Sequence, residues 1–319
     1  MKKFTKPRRV AKGFTLAELI VAMAVTLVLV LLTLTITGTA MDAWRAARTE
    51  IRAAGQAKIM LNAIGRDLES LVSRIGNNQN QWLVATTNPG NLGPQSAPSP
   101  NASRLVFFTS ASDRYGGNAG SQERLGADNN ANRNADLGGD ISAVSYQLDF
   151  VDPVWGAPAP AFSTFVMYRN LMNPDQTYQN RVIGAPNLLQ AFDAAAGPNE
   201  LADLICENVY EFTATFVINY RDAAGVPRNV RMPVMSSAIG GDEIKRSFGI
   251  TGSGLAPDLR TGTVFAGGRI VSVDLSITVL SDEGISILKR TPFRSEQEKA
   301  RFLEMHSYRY SRSVVIPRG

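Results

Sequence analysis

The sequence predicts an α+β fold: a long N-terminal helix, membrane-spanning in its first half, packed on an antiparallel β-sheet domain with long polar loops. Three observations lead there. From Leu19 to Met41 the chain holds 23 consecutive uncharged residues. No proline falls between Pro7 and Pro89, so a helix begun near Thr15 meets no backbone breaker before Arg74. Past residue 103, runs rich in Val, Ile, Phe and Tyr alternate with Gly- and Asn-rich stretches, the pattern of strands and loops in an α+β chain.

Composition bounds the function. The 319 residues are 44% hydrophobic and 19% charged, as in globular chains with a core, and the length suits one or two folded units. The single cysteine, Cys206, excludes an intrachain disulfide and a Cys-rich zinc site, and the single histidine, His306, excludes a multi-His metal centre. A formal charge of +5 misleads, because six of the 33 basic residues lie in residues 1–13, which hold no acid. The remainder carries 27 basic against 28 acidic residues, so no nucleic-acid partner is indicated.

The leader, residues 1–13, contains Lys2, Lys3, Lys6, Arg8, Arg9 and Lys12. Residues 14–41 follow as the transmembrane segment; at ~1.5 Å rise per residue the uncharged run spans a ~30 Å hydrocarbon core. Basic residues on its amino side keep the leader cytoplasmic and send the remainder outward. Gly38-Thr39-Ala40 has the small residues of a signal-peptide cleavage site, but the apolar run exceeds the 7–15 residues of such a peptide. The residues around Arg8-Arg9 match a twin-arginine signal poorly. Glu18 stands out, since an acid at the edge of an apolar helix is costly unless it snorkels or finds a partner.

Lys12-Gly13-Phe14-Thr15-Leu16-Ala17-Glu18 resembles the leader of type IV prepilins and type II secretion pseudopilins. The likeness lies in a basic leader, a glycine before the cut, a phenylalanine after it, a glutamate at the fifth mature position, and an apolar helix. The resemblance implies cleavage between Gly13 and Phe14 by a membrane prepilin peptidase, N-methylation of Phe14, and pairing of Glu18 with the Phe14 amine of a neighbouring subunit. An amine and a carboxylate in lipid are each costly alone and compensate as a pair.

Residues 42–75 are expected to continue the helix as an exported amphipathic half. Leu61, Ile64, Leu68, Leu71 and Ile75 form an apolar stripe, with Arg66, Asp67 and Glu69 beside it, which packs on the chain's own sheet. Gly38, Gly55 and Gly65 are weak points costing ~1 kcal/mol each. Residues 76–319 form the β-rich globular domain. Within it, 76–103, 111–140 and 236–268 are expected to be loops. Strands are expected over 104–109, 141–151, 163–169, 209–220, 226–234, 269–280 and 308–316, with a hairpin at Asp222–Gly225 and a helix from the capping box Ser295–Glu298 to about His306. This order also resembles the larger minor pilins and pseudopilins of the J or W type, whose soluble domain pairs a long helix with two small sheets. The local likeness lies in Glu207-Asn208-Val209, the 222–225 hairpin and the 269–280 strand.

Other chemistry is thin. Asp128, Asn130, Asn132, Asn134 and Asp136 alternate like a calcium loop, but Arg133 and Gly139 stand where an EF-hand needs Gly and Glu; the expectation is a polar loop without metal. Gly249, Gly252 and Gly254 lack the strand, helix and Lys-Ser/Thr of a phosphate loop and are expected to be flexible loop. Cys206 is expected to be a small buried hydrophobe, and His306 to cap carbonyls or face solvent. Glu296, Glu298 and Glu304 suit a solvated helix face. No cofactor and no enzymatic activity are expected. The resemblance therefore implies a minor pilin or pseudopilin in the inner membrane, N-terminus cytoplasmic and C-terminal domain periplasmic or on a surface filament. Its expected partners are the peptidase and other pilin subunits. Bulky loops would crowd a densely repeated subunit, which favours a place near a tip. The alternative is a membrane-anchored binding or adhesion module outside any filament.

Overall fold

The computed structural model describes residues 15–74, 80–87, 92–94, 98–110, 141–156, 162–197, 199, 201–239, 242–245, 247–258, 262–290 and 293–317. The chain forms two compact units, residues 1–50 and 51–319. Helix α1 (Leu16–Glu69) is followed by β1 (Gln81–Thr87), β2 (Ser103–Thr109), β3 (Ser142–Val151) and β4 (Thr164–Met172). Next come α2 (Pro174–Gln179), α3 (Leu188–Ala196), β5 (Leu204–Glu207), β6 (Val209–Arg221) and β7 (Pro227–Val234). Then follow β8 (Ser236–Ile239), β9 (Asp242–Lys245), β10 (Phe248–Thr251) and β11 (Gly254–Leu255). The chain continues through β12 (Arg269–Leu280), α4 (Asp282–Arg290), α5 (Glu296–His306) and β13 (Ser307–Val315).

In the first unit, the side chains from Leu16 to Arg48 are all exposed. The second unit holds two main sheets, a seven-stranded one ordered β11-β10-β1-β2-β3-β4-β5 and a four-stranded one ordered β13-β12-β6-β7, with β8-β9 as a separate pair. Every paired strand runs antiparallel. The α+β expectation holds, although the first sheet is larger than the small sheets that the resemblance implies.

From Ile51 onward α1 buries one face. Ala53, Ala57, Met60, Leu61, Ile64 and Leu68 recur at helical spacing and lie in the core. Full burial of Met60, Ile64 and Leu68 stabilises by roughly 1.5–3 kcal/mol each. The helix stops at Glu69, short of Arg74, because its next backbone groups are taken by β2. Leu71 bridges to Thr109, the Val72 N–H donates to the Phe108 carbonyl at 2.9 Å, and the Ser110 N–H donates to the Ser70 carbonyl at 3.0 Å.

Asp67 corrects the expected stripe. Expected beside the stripe, it is buried with it, at 2% exposure. Arg169 on β4 donates to it twice, Nε to Oδ2 at 2.9 Å and a terminal guanidinium nitrogen to Oδ1 at 3.0 Å. The Tyr146 hydroxyl on β3 donates to Oδ2 at 2.5 Å, and the Thr109 hydroxyl to the Asp67 carbonyl at 2.9 Å. Burial and the adjacent carboxylate hold the Tyr146 phenol far above its ordinary pKa, so it stays a donor. A buried carboxylate so satisfied locks the helix to the first sheet.

Gly65 is a packing requirement, since a Cβ there would lie 2.7 Å from Cζ of Arg312 on β13. The Arg312 guanidinium crosses the helix at that gap and donates to the Leu61 carbonyl (3.3 Å), Asn62 Oδ1 (2.6 Å) and Glu69 Oε1 (3.1 Å). Gly55 faces open space.

The strands expected at 104–109, 141–151, 163–169, 209–220, 226–234, 269–280 and 308–316 all occur within one to three residues at each end. The Asp222 hairpin is closed by its carboxylate, which accepts from Ala224 N, Val226 N and Arg228 Nε. Helix α5 starts at the expected box, with Glu298 N donating to Ser295 Oγ at 3.2 Å. Two expected loops need correction. The 76–103 stretch contains β1, whose Trp82, Leu83 and Ala85 are core residues paired between β2 and β10. The 236–268 stretch contains four short strands. Gly249 sits in one of them because the Leu83 carbonyl passes 3.0 Å from where its Cβ would be.

Asp67→Ala is expected to lower the unfolding free energy of the full chain in detergent by about 3 kcal/mol, the lower end for a broken buried pair because Arg169 reaches the surface. Denaturant titration checks it, and a double-mutant cycle with Arg169→Ala should be far from additive; a loss near zero would contradict the locking role. Gly55→Ala should stabilise by up to ~1 kcal/mol through helix propensity. Gly65→Ala should gain nothing, because it displaces Arg312.

Candidate assembly segment at the amino terminus

The first turn of α1 is a capping box. Thr15 stands before the helix, and its hydroxyl accepts from Glu18 N at 3.3 Å. In return Glu18 Oε2 accepts from Thr15 N at 2.9 Å and from Thr15 Oγ1 at 3.0 Å. Reciprocal bonds of this kind satisfy donors that a helix start leaves open, and the negative charge sits at the favourable end of the helix dipole. Both bonds fall on Oε2, so the roughly four acceptor positions of a carboxylate are not exhausted.

The following residues are the one helix among those described that is long and apolar enough to cross a membrane. Its threonines do not interrupt it. Thr26, Thr33, Thr35 and Thr39 donate their hydroxyls back to Ala22, Leu29, Leu31 and Thr35 carbonyls at 2.7–3.1 Å. Polar groups satisfied within the helix suit a lipid environment. The run ends in a polar girdle: Asp42 with Arg45 at 3.7 Å, then Trp44 with the Arg48 guanidinium 5.5 Å from its ring centre. A tryptophan beside arginines is the usual composition at a membrane–water boundary.

Of the expected site residues, the structure places Glu18 at the head of the exposed apolar helix. Gly13 and Phe14 lie outside the described residues, as do Asp128, Asn130, Asn132, Asn134 and Asp136. Thr15 and Trp44 were missed, although the signals were present: Thr-x-x-Glu before an apolar run is a capping box, and an aromatic after such a run marks its boundary. Elsewhere, among the described residues, no three His, Cys, Asp or Glu side chains come together as a metal would need. Cys206 is buried, as expected, and burial with the neighbouring Glu207 pushes its thiol up to about 12, so it carries no thiolate near neutral pH. The His306 ring lies against that of Phe302, with ring centres 5.1 Å apart and planes tilted by 37°.

Comparison with known proteins bears on this same segment. Residues 8–34 match the family described as "Prokaryotic N-terminal methylation motif". The chain thus carries a prepilin-type N-terminal motif, which implies processing by a peptidase and assembly with other pilin subunits. Among solved structures, a type IV-like pilin from Thermus thermophilus aligns with 83% of this chain and 95% of its own at 9% identity and a TM-score of 0.30, an alignment too loose to define a shared architecture. No curated protein matches.

Proposed function

We propose that this chain is a minor pilin or pseudopilin, cut between Gly13 and Phe14, methylated on Phe14, and assembled through its helix near the tip of a type IV pilus or secretion pseudopilus. The observation that carries the reading is Glu18, an acid held at the head of an apolar helix with exposed side chains, inside a methylation motif. The cut makes Phe14 an α-amine, and a neighbouring subunit's amine finds acceptor positions left on the Glu18 carboxylate. In lipid, that pairing offsets two desolvation costs at once. The apolar side chains around Glu18 pack against helices of other subunits. The role is structural, not catalytic. The helix sits in the inner membrane with the leader cytoplasmic and residues 51–319 outside. The size of the folded unit and the length of the 111–140 segment favour a sparse position over a densely repeated one.

Mass spectrometry of the mature chain should find 306 residues beginning at a methylated Phe14, counting from that position. A chain beginning at Met41 would show an ordinary signal peptide instead. Glu18→Gln keeps the capping box, since glutamine serves there as well as glutamate, so processing, membrane level and folding should be unchanged. Its recovery in purified filaments, or in crosslinked complexes with other subunits, should fall about a hundredfold or more, the effect of ~3–5 kcal/mol from one unpaired buried charge. Wild-type recovery would instead favour a simple anchor, in which Glu18 only caps and snorkels.

A further inference from the structure

Within residues 51–319, a cleft of about 760 Å³ is lined from both main sheets. Ile250 and Leu255 reach it from β10 and β11 of the larger sheet, and Ile270 and Val271 from the start of β12 in the smaller one. Ile316, just past β13, and Leu71, just past α1, complete its apolar lining. Two local features shape it. The β12–β6 register shifts between Ile270 and Ser272, and such a bulge re-aims a side chain, here leaving Val271 37% exposed. Gly268 lines the cleft without a side chain, where a Cβ would lie 3.1 Å from Leu255 Cδ1.

The polar groups of the cleft are few. Ser73 offers a hydroxyl, and Arg269 is the one charged residue among those that line it. Arg269 is exposed and makes no ion pair with a described residue. The arginines of β6 and β7 on the neighbouring hairpin are engaged: Arg221 with the Gly225 carbonyl, Arg228 with Asp222, and Arg231 with Asp274. The backbone around the cleft is also engaged. Ile316 N–H donates to the Val271 carbonyl at 3.0 Å, Gly268 N–H to the Phe265 carbonyl at 2.9 Å, and Ile250 pairs with Leu255. The result is an aliphatic cleft, of the size usual for small-molecule sites at roughly 300–1,000 Å³, with a single cation left to answer.

We propose that this cleft binds a fatty acid, its alkyl chain against the aliphatic lining and its carboxylate at Arg269. Charge complementarity sets the head of the ligand, since a guanidinium without a partner is matched by a carboxylate. The lining sets the tail. A nucleobase stacks on aromatic rings, and none lines the cleft. A peptide strand docks through main-chain hydrogen bonds, and the main chain here is already paired. An alkyl chain needs neither, and gains from every methylene it buries. The inference goes beyond the assembly role and stands whether or not the chain enters a filament.

The test is photolabelling of the full chain in phospholipid nanodiscs with dodecanoate that bears a diazirine near its methyl end, the labelled peptides being mapped by mass spectrometry. Label should appear on peptides that contain Val271 and Ile316, and excess dodecanoate should displace it better than dodecanol does. Arg269→Gln should weaken the displacement by dodecanoate about two- to fivefold, as for an exposed ion pair, and make acid and alcohol equal. Val271→Trp, which fills a lining position, should cut the label at Ile316, with an unchanged melting temperature showing that the fold is intact. Label confined to the uncharged run from Leu19 to Met41 would mean that the probe sees only bilayer, and would overturn the proposal. Equal displacement by acid and alcohol in the unaltered chain would overturn the role of Arg269 and the ligand class with it. Hydrogen exchange at 268–271 slowed by added pilin subunits and not by dodecanoate would make the cleft a protein-docking surface and also overturn it.

Discussion

A buried carboxylate has to be answered from several sides at once, and the Asp67 side chain is answered from β3 and β4 while β2 bonds its backbone. Arg169 supplies a two-pronged partner, Tyr146 a hydroxyl, and Thr109 a bond to the backbone beside it. Because all of these must meet one residue of α1, the helix has a single rotation on the sheet. With Asp67 turned to β3 and β4, Gly65 comes under Arg312 of the other sheet and Ala57, Ile64 and Leu68 fall into the core. Apolar packing alone would tolerate sliding; the ion pair gives it a register.

Much of this architecture was legible in the residues. Strands with strong alternation and clear borders, such as β6 and β12, were located almost to the residue, because side-chain periodicity and β-branched composition agree there. β1 was hidden by its surroundings. Its six consecutive β-compatible residues, Trp82 to Thr87, are embedded in a polar stretch whose average composition is that of a loop. The strands of 236–268 are two to four residues long, and they exist because neighbours pair with them, which no local pattern records. Asp67 was misplaced for a related reason: periodicity put it at the edge of the stripe, and its partners are 79 and 102 residues away.

The site was legible in its chemistry and partly missed in its construction. Glu18 announced itself as an acid where lipid disfavours one. That the same carboxylate also begins the helix, by exchanging bonds with Thr15, is a local fact the sequence carries but the eye passes over when a stronger pattern overlaps it. A side chain with two tasks constrains substitution twice: the helix start needs an acceptor of that length, and a buried amine needs a charge.

Arg312 clasps Asn62 across 250 positions of chain. A ribosome delivers Arg312 250 residues after Asn62, so through that stretch of synthesis the half of α1 that belongs in the core has no lid. The edge strand of the second sheet is also the one that fastens down α1. Any truncation that removes Arg312 would therefore be felt 250 residues away, as a helix left half-gripped with its apolar face open to whatever passes.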